Sequence, residues 1–279
     1  MFLAGDGNQR SASIFRIATD KIKVQRLPDP PENCVDACAA SIGTRVYVVP
    51  AYSNNILVFE TETLSWRTID NVIDHQRCGA TLTAVDGKLY LAGGWNAGYL
   101  TSVEVLSVSD EGECRNQHQP LTMKVGRNRL ATAAVGHLLC VIGGDTDSGT
   151  TSLCEAINLN TGENIDLPSL NIPRSKLAAV AFNKQIYAIA GFNGGCQSTV
   201  ETLSPFSSNS WEFTASLNAP RSRQCACVYG SCVCVFSGSS TTNIEIMDLE
   251  AVEPTWNLHI AVDNIRYFCA ATIQGDIPL

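Results

Sequence analysis

Charge is scarce in this 279-residue chain: 16% of its residues are Asp, Glu, Lys or Arg, below the roughly 25% of an average globular protein. Bases are the scarcer sign, 19 Lys and Arg against 27 Asp and Glu, for a formal net charge of -8. Non-specific binding to nucleic acid or an anionic membrane requires a basic face, so the balance argues against both as partners. Long apolar runs are missing too, and none approaches the roughly 18 to 20 residues of a membrane-spanning helix. The opening Met1-Phe2-Leu3-Ala4-Gly5-Asp6 lacks the basic and apolar regions of a secretory signal, so the expected setting is the cytoplasm. Catalytic signatures are absent as well. His75, His118, His137 and His259 have no metal-ligand spacing, and no phosphate loop or nucleophile elbow occurs. The expectation is a protein that is not an enzyme and holds no cofactor or metal.

What is present is apolar mass, 45% of the chain, arranged in a repeat. Small-residue pairs follow apolar segments at Ala4-Gly5, Gly93-Gly94, Gly143-Gly144, Ala190-Gly191 and Ser237-Gly238, with Pro50-Ala51 where another is due. Successive first members stand 46, 43, 50, 47 and 47 residues apart, and from Ser237 through the C-terminus to Ala4 is again 46. Six units follow, the sixth closing where the two ends meet.

Each unit has one grammar. Ala178-Ala179-Val180-Ala181-Phe182, a turn at Asn183-Lys184-Gln185 and Ile186-Tyr187-Ala188-Ile189 read as two antiparallel strands in a hairpin. A polar loop follows, then a third strand with an early acid, at Glu104, Glu155, Glu201 or Glu245; Trp66, Trp211 and Trp256 mark a fourth. Four strands per unit, without helical periodicity, predict an all-β, six-bladed β-propeller of four antiparallel strands per blade. The first unit lacks its innermost strand, which is expected in Cys269-Ala270-Ala271-Thr272-Ile273 after Arg266. The blades then run 34–76, 77–126, 127–173, 174–220 and 221–265, with 266–279 and 1–33 forming the first, so that residues 1–279 are one domain.

The order of Arg, hairpin, Gly-Gly, Val-Glu and Trp resembles the kelch repeat across the whole chain, most clearly over 77–106 and 127–157. The second unit departs from it, with Cys34 in the Arg position and Pro50-Ala51 for Gly-Gly. Closure by a C-terminal strand is similar to the propellers of BTB-kelch proteins. That resemblance implies substrate recognition for a cullin-type ubiquitin ligase, reached through a BTB region that this sequence does not contain.

Arg77, Arg127, Arg174 and Arg221 each stand 16 residues before their small pair, with Arg266 in near register, and Arg129 and Arg223 lie two residues beyond. Thirteen of the 19 bases are Arg, which suits bidentate recognition of carboxylates. The expectation is a ring of guanidinium groups at one mouth of the channel, open to an acidic peptide or loop of a partner protein. Alternatively these arginines tie blades together through Glu104, Glu155, Glu201 and Glu245. The family resemblance adds Trp95, Asn96, Tyr99, Ser102, Asp145, Phe192, Asn193, Thr199 and Ser239 as partner-binding residues. Other readings are an actin-binding scaffold and an epimerase of sugar acids.

Twelve cysteines in a chain read as cytoplasmic are expected to be reduced thiols. Cys225, Cys227, Cys232 and Cys234 flank one turn at spacing unsuited to a zinc knuckle and read as small core residues. Cys78 and Cys225, near Arg77 and Arg223, are the candidates for a reactive thiol.

Overall fold

The computed structural model describes residues 2–4, 12–17, 22–259 and 269–272, which form β-strands with no helix among them. The predicted grammar is visible in Ala178–Phe182 and Gln185–Phe192, paired antiparallel with Ala178 opposite Ile189. Asn183 and Lys184 turn between them at φ of 47° and 65°, a left-handed pair whose twist matches that of the flanking strands. Cys196–Leu203 and then Glu212–Thr214 complete the sheet outward.

The same inner-to-outer order recurs in Cys38–Ile42, Arg45–Val49, Ile56–Glu60 and Ser65–Ile69. It recurs in Thr81–Val85, Lys88–Ala92, Ser102–Val108 and Cys114–Asn116. Ala131–Val135, Leu138–Ile142, Cys154–Asn158 and Asn164–Leu167 follow, then Cys225–Tyr229, Cys232–Phe236, Ile244–Asp248 and Asn257–His259. A further sheet draws on both ends: Cys269–Ala271 pairs with Phe2–Ala4, Ala4 opposite Cys269, and Ala12–Ile17 and Ile22–Arg26 lie outside them. The architecture is an all-β propeller.

Second strands such as Leu138–Ile142 are buried at every position because neighbouring sheets cover both of their faces, hence their continuous apolar runs. Inner strands converge and carry small residues. Cys38, Thr81, Ala131, Ala178, Cys225 and Cys269 line a central cavity of about 190 Å³. Adjacent sheets are stitched by repeated bonds: the indole N–H groups of Trp66, Trp211 and Trp256 donate to the carbonyls of Pro28, Pro168 and Ala215, each at 2.8 Å.

Burial dictates the behaviour of the thiols. It pushes Cys114, Cys140, Cys154 and Cys234 up to about 12, and raises Cys225 as well. Cys225 is therefore not the low-pKa thiol expected from its neighbourhood to Arg223; desolvation outweighs the cation. A folded-state pKa above the unfolded value stabilises the fold below the unfolded pKa, near 9, and that stability is lost as pH rises toward 12. Each such thiol contributes a slope of about 1.4 kcal/mol per pH unit in that window. The unfolding midpoint is expected to fall steeply between pH 9 and 11, and less steeply for Cys140→Ala; identical profiles for the two proteins would contradict the assignment.

Candidate functional site

The arginine ring forms, but inside the protein rather than at the mouth. Arg77, Arg127, Arg174 and Arg221 are 2, 1, 0 and 0% exposed. Each is ion-paired to its strand carboxylate: Arg77 to Glu104, Arg127 to Glu155 at 2.6 Å, Arg174 to Glu201 at 2.5 Å, and Arg221 to Glu245. The 16-residue spacing is itself a hydrogen bond, because each guanidinium also donates to the carbonyl of the small pair's first residue: Gly93, Gly143, Ala190 and Ser237. The second residue of the pair reaches the next blade. Gly94, Gly144 and Gly191 donate their N–H groups to the carbonyls of Arg127, Arg174 and Arg221. At φ of 106°, and with a Cβ on Gly144 standing 2.8 Å from the Asn128 carbonyl oxygen of its own unit, this position requires glycine.

Desolvation pulls all four guanidinium groups below their ordinary pKa, and the paired carboxylates oppose it. Buried and ion-paired, with the Nε of Arg221 left without a hydrogen-bond partner among the described residues, these arginines tie the strands of their own units and are closed to solvent. Ser102 and Thr199 belong to the same tier: the Ser102 hydroxyl accepts from Arg77 at 3.2 Å, and the Thr199 hydroxyl and carbonyl accept from Arg174 at 3.0 and 2.9 Å. In the second unit Cys34 and Leu57 occupy the Arg and Glu places, both fully buried in an apolar cluster. Arg266 lies outside the described residues.

Two residues beyond each buried arginine, and beyond Cys34 in the second unit, the backbone turns left-handed at the channel mouth. Asp36, Gly79, Arg129, Lys176 and Arg223 have φ of 53°, 64°, 51°, 52° and 56°. Three consecutive hydrogen bonds link the last four: Arg129 N–H to Gly79 O at 2.7 Å, Lys176 N–H to Arg129 O at 2.7 Å, and Arg223 N–H to Lys176 O at 2.9 Å. The result is a collar around a cavity of about 120 Å³ whose walls include Ala37, Ala80, Leu130 and Leu177. Left-handed backbone costs a residue with a Cβ about 1 kcal/mol or more, and here three of the five positions spend it on cations.

The charges of the collar are unequally compensated. Arg129 pairs with Asp145 at 3.5 Å and Arg223 with Asp36 at 3.3 Å, both half open to solvent. Lys176 has no carboxylate within ion-pair distance among the described residues; its ammonium sits 4.6 Å from the centre of the Phe192 ring. Burial, with Arg129 and Arg223 beside it, lowers its pKa. The mouth thus brings three cations together with two carboxylates, Asp36 and Asp145, that pair with the arginines.

The remaining expected residues form the rim. Trp95 and Tyr99 are half-buried and meet edge to face at 4.8 Å, and Trp95 bridges to Cys78, which lines the mouth cavity. The Cys78 thiol donates to the Tyr52 hydroxyl at 2.9 Å, and Tyr52 is 58% exposed. Asn96 and Asn193 are exposed, their N–H groups turned back to the carbonyls of Gly98 and Gly195. Ser239 is exposed and bonded to Ser222. Lys176, Asp36 and Tyr52 were not among the sequence candidates, although Lys176 stands two residues after Arg174 as Arg129 does after Arg127.

The family described as Kelch motif matches residues 76–111 and 173–218. The chain thus carries kelch motifs. Among similar proteins, spermatocyte protein spe-26 of Caenorhabditis elegans is 29% identical over 200 residues, 64% of this chain and 32% of that protein. Kelch repeat protein M-T8 of myxoma virus is 21% identical over 214 residues, 76% of this chain and 41% of that protein. The chain thus spans about a third to two fifths of these relatives. In the four units that carry it among the described residues, the arginine preceding the hairpin is an internal tie, and the residue two places on stands at the mouth.

Proposed function

We propose that this kelch-repeat protein is a protein-interaction module that captures an acidic peptide or loop of a partner on the collar face of a six-bladed propeller. The carrying observation is the cluster of Arg129, Lys176 and Arg223, each held in left-handed backbone around one aperture, with Lys176 in no ion pair among the described residues. Exposed Tyr52 and half-buried Trp95, Tyr99 and Phe192 supply the aromatic anchors such an interface uses. The sixth blade of the proposal is the sheet made from both ends, which supplies Cys269 to the central cavity. By the resemblance to BTB-kelch proteins, the captured protein is a substrate for a cullin-type ubiquitin ligase.

The test is fluorescence anisotropy with ten-residue peptide pools carrying two fixed glutamates, against pools carrying two glutamines. The acidic pools are expected to bind more tightly, with affinity falling between about 50 and 500 mM salt. Arg129→Ala or Lys176→Ala each lowers affinity by about fivefold or more. Equal binding of acidic and neutral pools would overturn the proposal.

A further inference from the structure

The loop after Ile244–Asp248 has the converse chemistry of the collar, at the opposite end of its sheet. It reads Asp248-Leu249-Glu250-Ala251-Val252-Glu253. Three backbone bonds order it: Glu250 N–H to the Asp248 carboxylate at 3.1 Å, Leu249 N–H to Ser231 O at 3.0 Å, and Ala251 N–H to Asp248 O at 3.4 Å. The Ser231 hydroxyl and the Glu250 N–H hold the Asp248 carboxyl below its usual range, so Asp248 braces the loop from within. Glu250 and Glu253 are exposed and take part in no ion pair among the described residues. Val252 stands fully free at 101% exposure, the most exposed large apolar residue described. An exposed loop with an apolar residue between two unpaired carboxylates has the chemistry of an acidic ligand.

We propose that the 248–253 loop of one copy docks in the collar mouth of another, giving head-to-tail self-association. Val252 enters the cavity walled by Ala37, Ala80, Leu130 and Leu177, while Glu250 and Glu253 meet Lys176 and its neighbouring arginines. Loop and mouth are different surfaces at opposite ends of the molecule, so the contact is heterologous and adds copies one after another rather than closing a two-fold dimer. The proposal rests on the mouth's acidic-ligand reading, and it makes the chain a competitor for its own site.

Sedimentation velocity of the whole chain tests it. At about 20 mM salt the weight-average mass rises with concentration above 30.0 kDa, and at about 500 mM salt it returns toward the monomer. Arg129→Gly with Lys176→Gly and Arg223→Gly, which keeps the loop, and Glu250→Gln with Glu253→Gln, which keeps the mouth, each sediment as monomers alone. Mixed, they form a 1:1 complex and no larger species, because only one mouth and one loop remain functional. A wild type that stays monomeric, or a mixture that forms no complex, overturns self-docking. The acidic peptide pools are titrated in parallel: binding that depends on Lys176 without self-association leaves the mouth reading standing, and loss of both overturns the two together.

Discussion

Arg174→Met is expected to lower stability by about 3–5 kcal/mol, because it leaves the Glu201 carboxylate buried without its cation. Both side chains are inaccessible to solvent, and Glu201 retains only the Asn171 and Ile172 donors at 2.7 to 3.3 Å. The carbonyls of Ala190 and Thr199 lose a donor at the same time. For a chain of this length the unfolding midpoint should fall by roughly 10 °C. Adding Glu201→Gln removes the stranded charge and keeps an acceptor for Asn171, so the double variant should recover part of the loss. The second unit already dispenses with the pair, packing Cys34 and Leu57 in its place. Thermal melts of the two variants decide the matter; a double variant no more stable than Arg174→Met would show that the pair is not the source of the loss.

Replacing the collar cations should do the reverse. The triple variant Arg129→Gly, Lys176→Gly and Arg223→Gly is expected to lose about 100-fold or more in affinity for acidic peptides. Its stability should stay within about 1 kcal/mol of wild type, because relief of left-handed backbone offsets the greater freedom of glycine in the unfolded chain. Gly79 holds the same collar position already, so the geometry accepts glycine there. Peptide titrations and thermal melts of the same preparation provide both readouts. A destabilised triple variant would make the collar a structural element, and undiminished affinity would move the site elsewhere.

The repeat period, the hairpins and the pairing of the two ends were legible because each leaves a mark on residue type: turn residues, continuous apolar second strands, and small pairs where blades approach. The 16-residue spacing of arginine to small pair was equally visible. Its meaning was not, since a spacing fixed by a hydrogen bond to Gly143 O and one fixed by a ligand look alike in sequence. What separates Arg127 from Arg129 is the sign of φ at Arg129, which turns its side chain to the mouth while Arg127 points into the sheet stack. Left-handed backbone is inferred from glycine, and only Gly79 among the collar residues gives that signal. Lys176 was hidden for a second reason. Its role follows from Asp145 and Asp36 making their ion pairs with the arginines and not with it, a relation across four sheets that no single unit contains.

The central claim is a division of labour, with the buried arginines holding the propeller and the residues two places on binding the partner. The most direct measurement is the affinity of the acidic peptide pools for two variants, well below both unfolding midpoints: Arg174→Met with Glu201→Gln, and Lys176→Gly. The first should bind as wild type does despite its lower midpoint, and the second should bind about fivefold or more weakly with its midpoint unchanged. Equal losses of affinity in both variants would contradict the division.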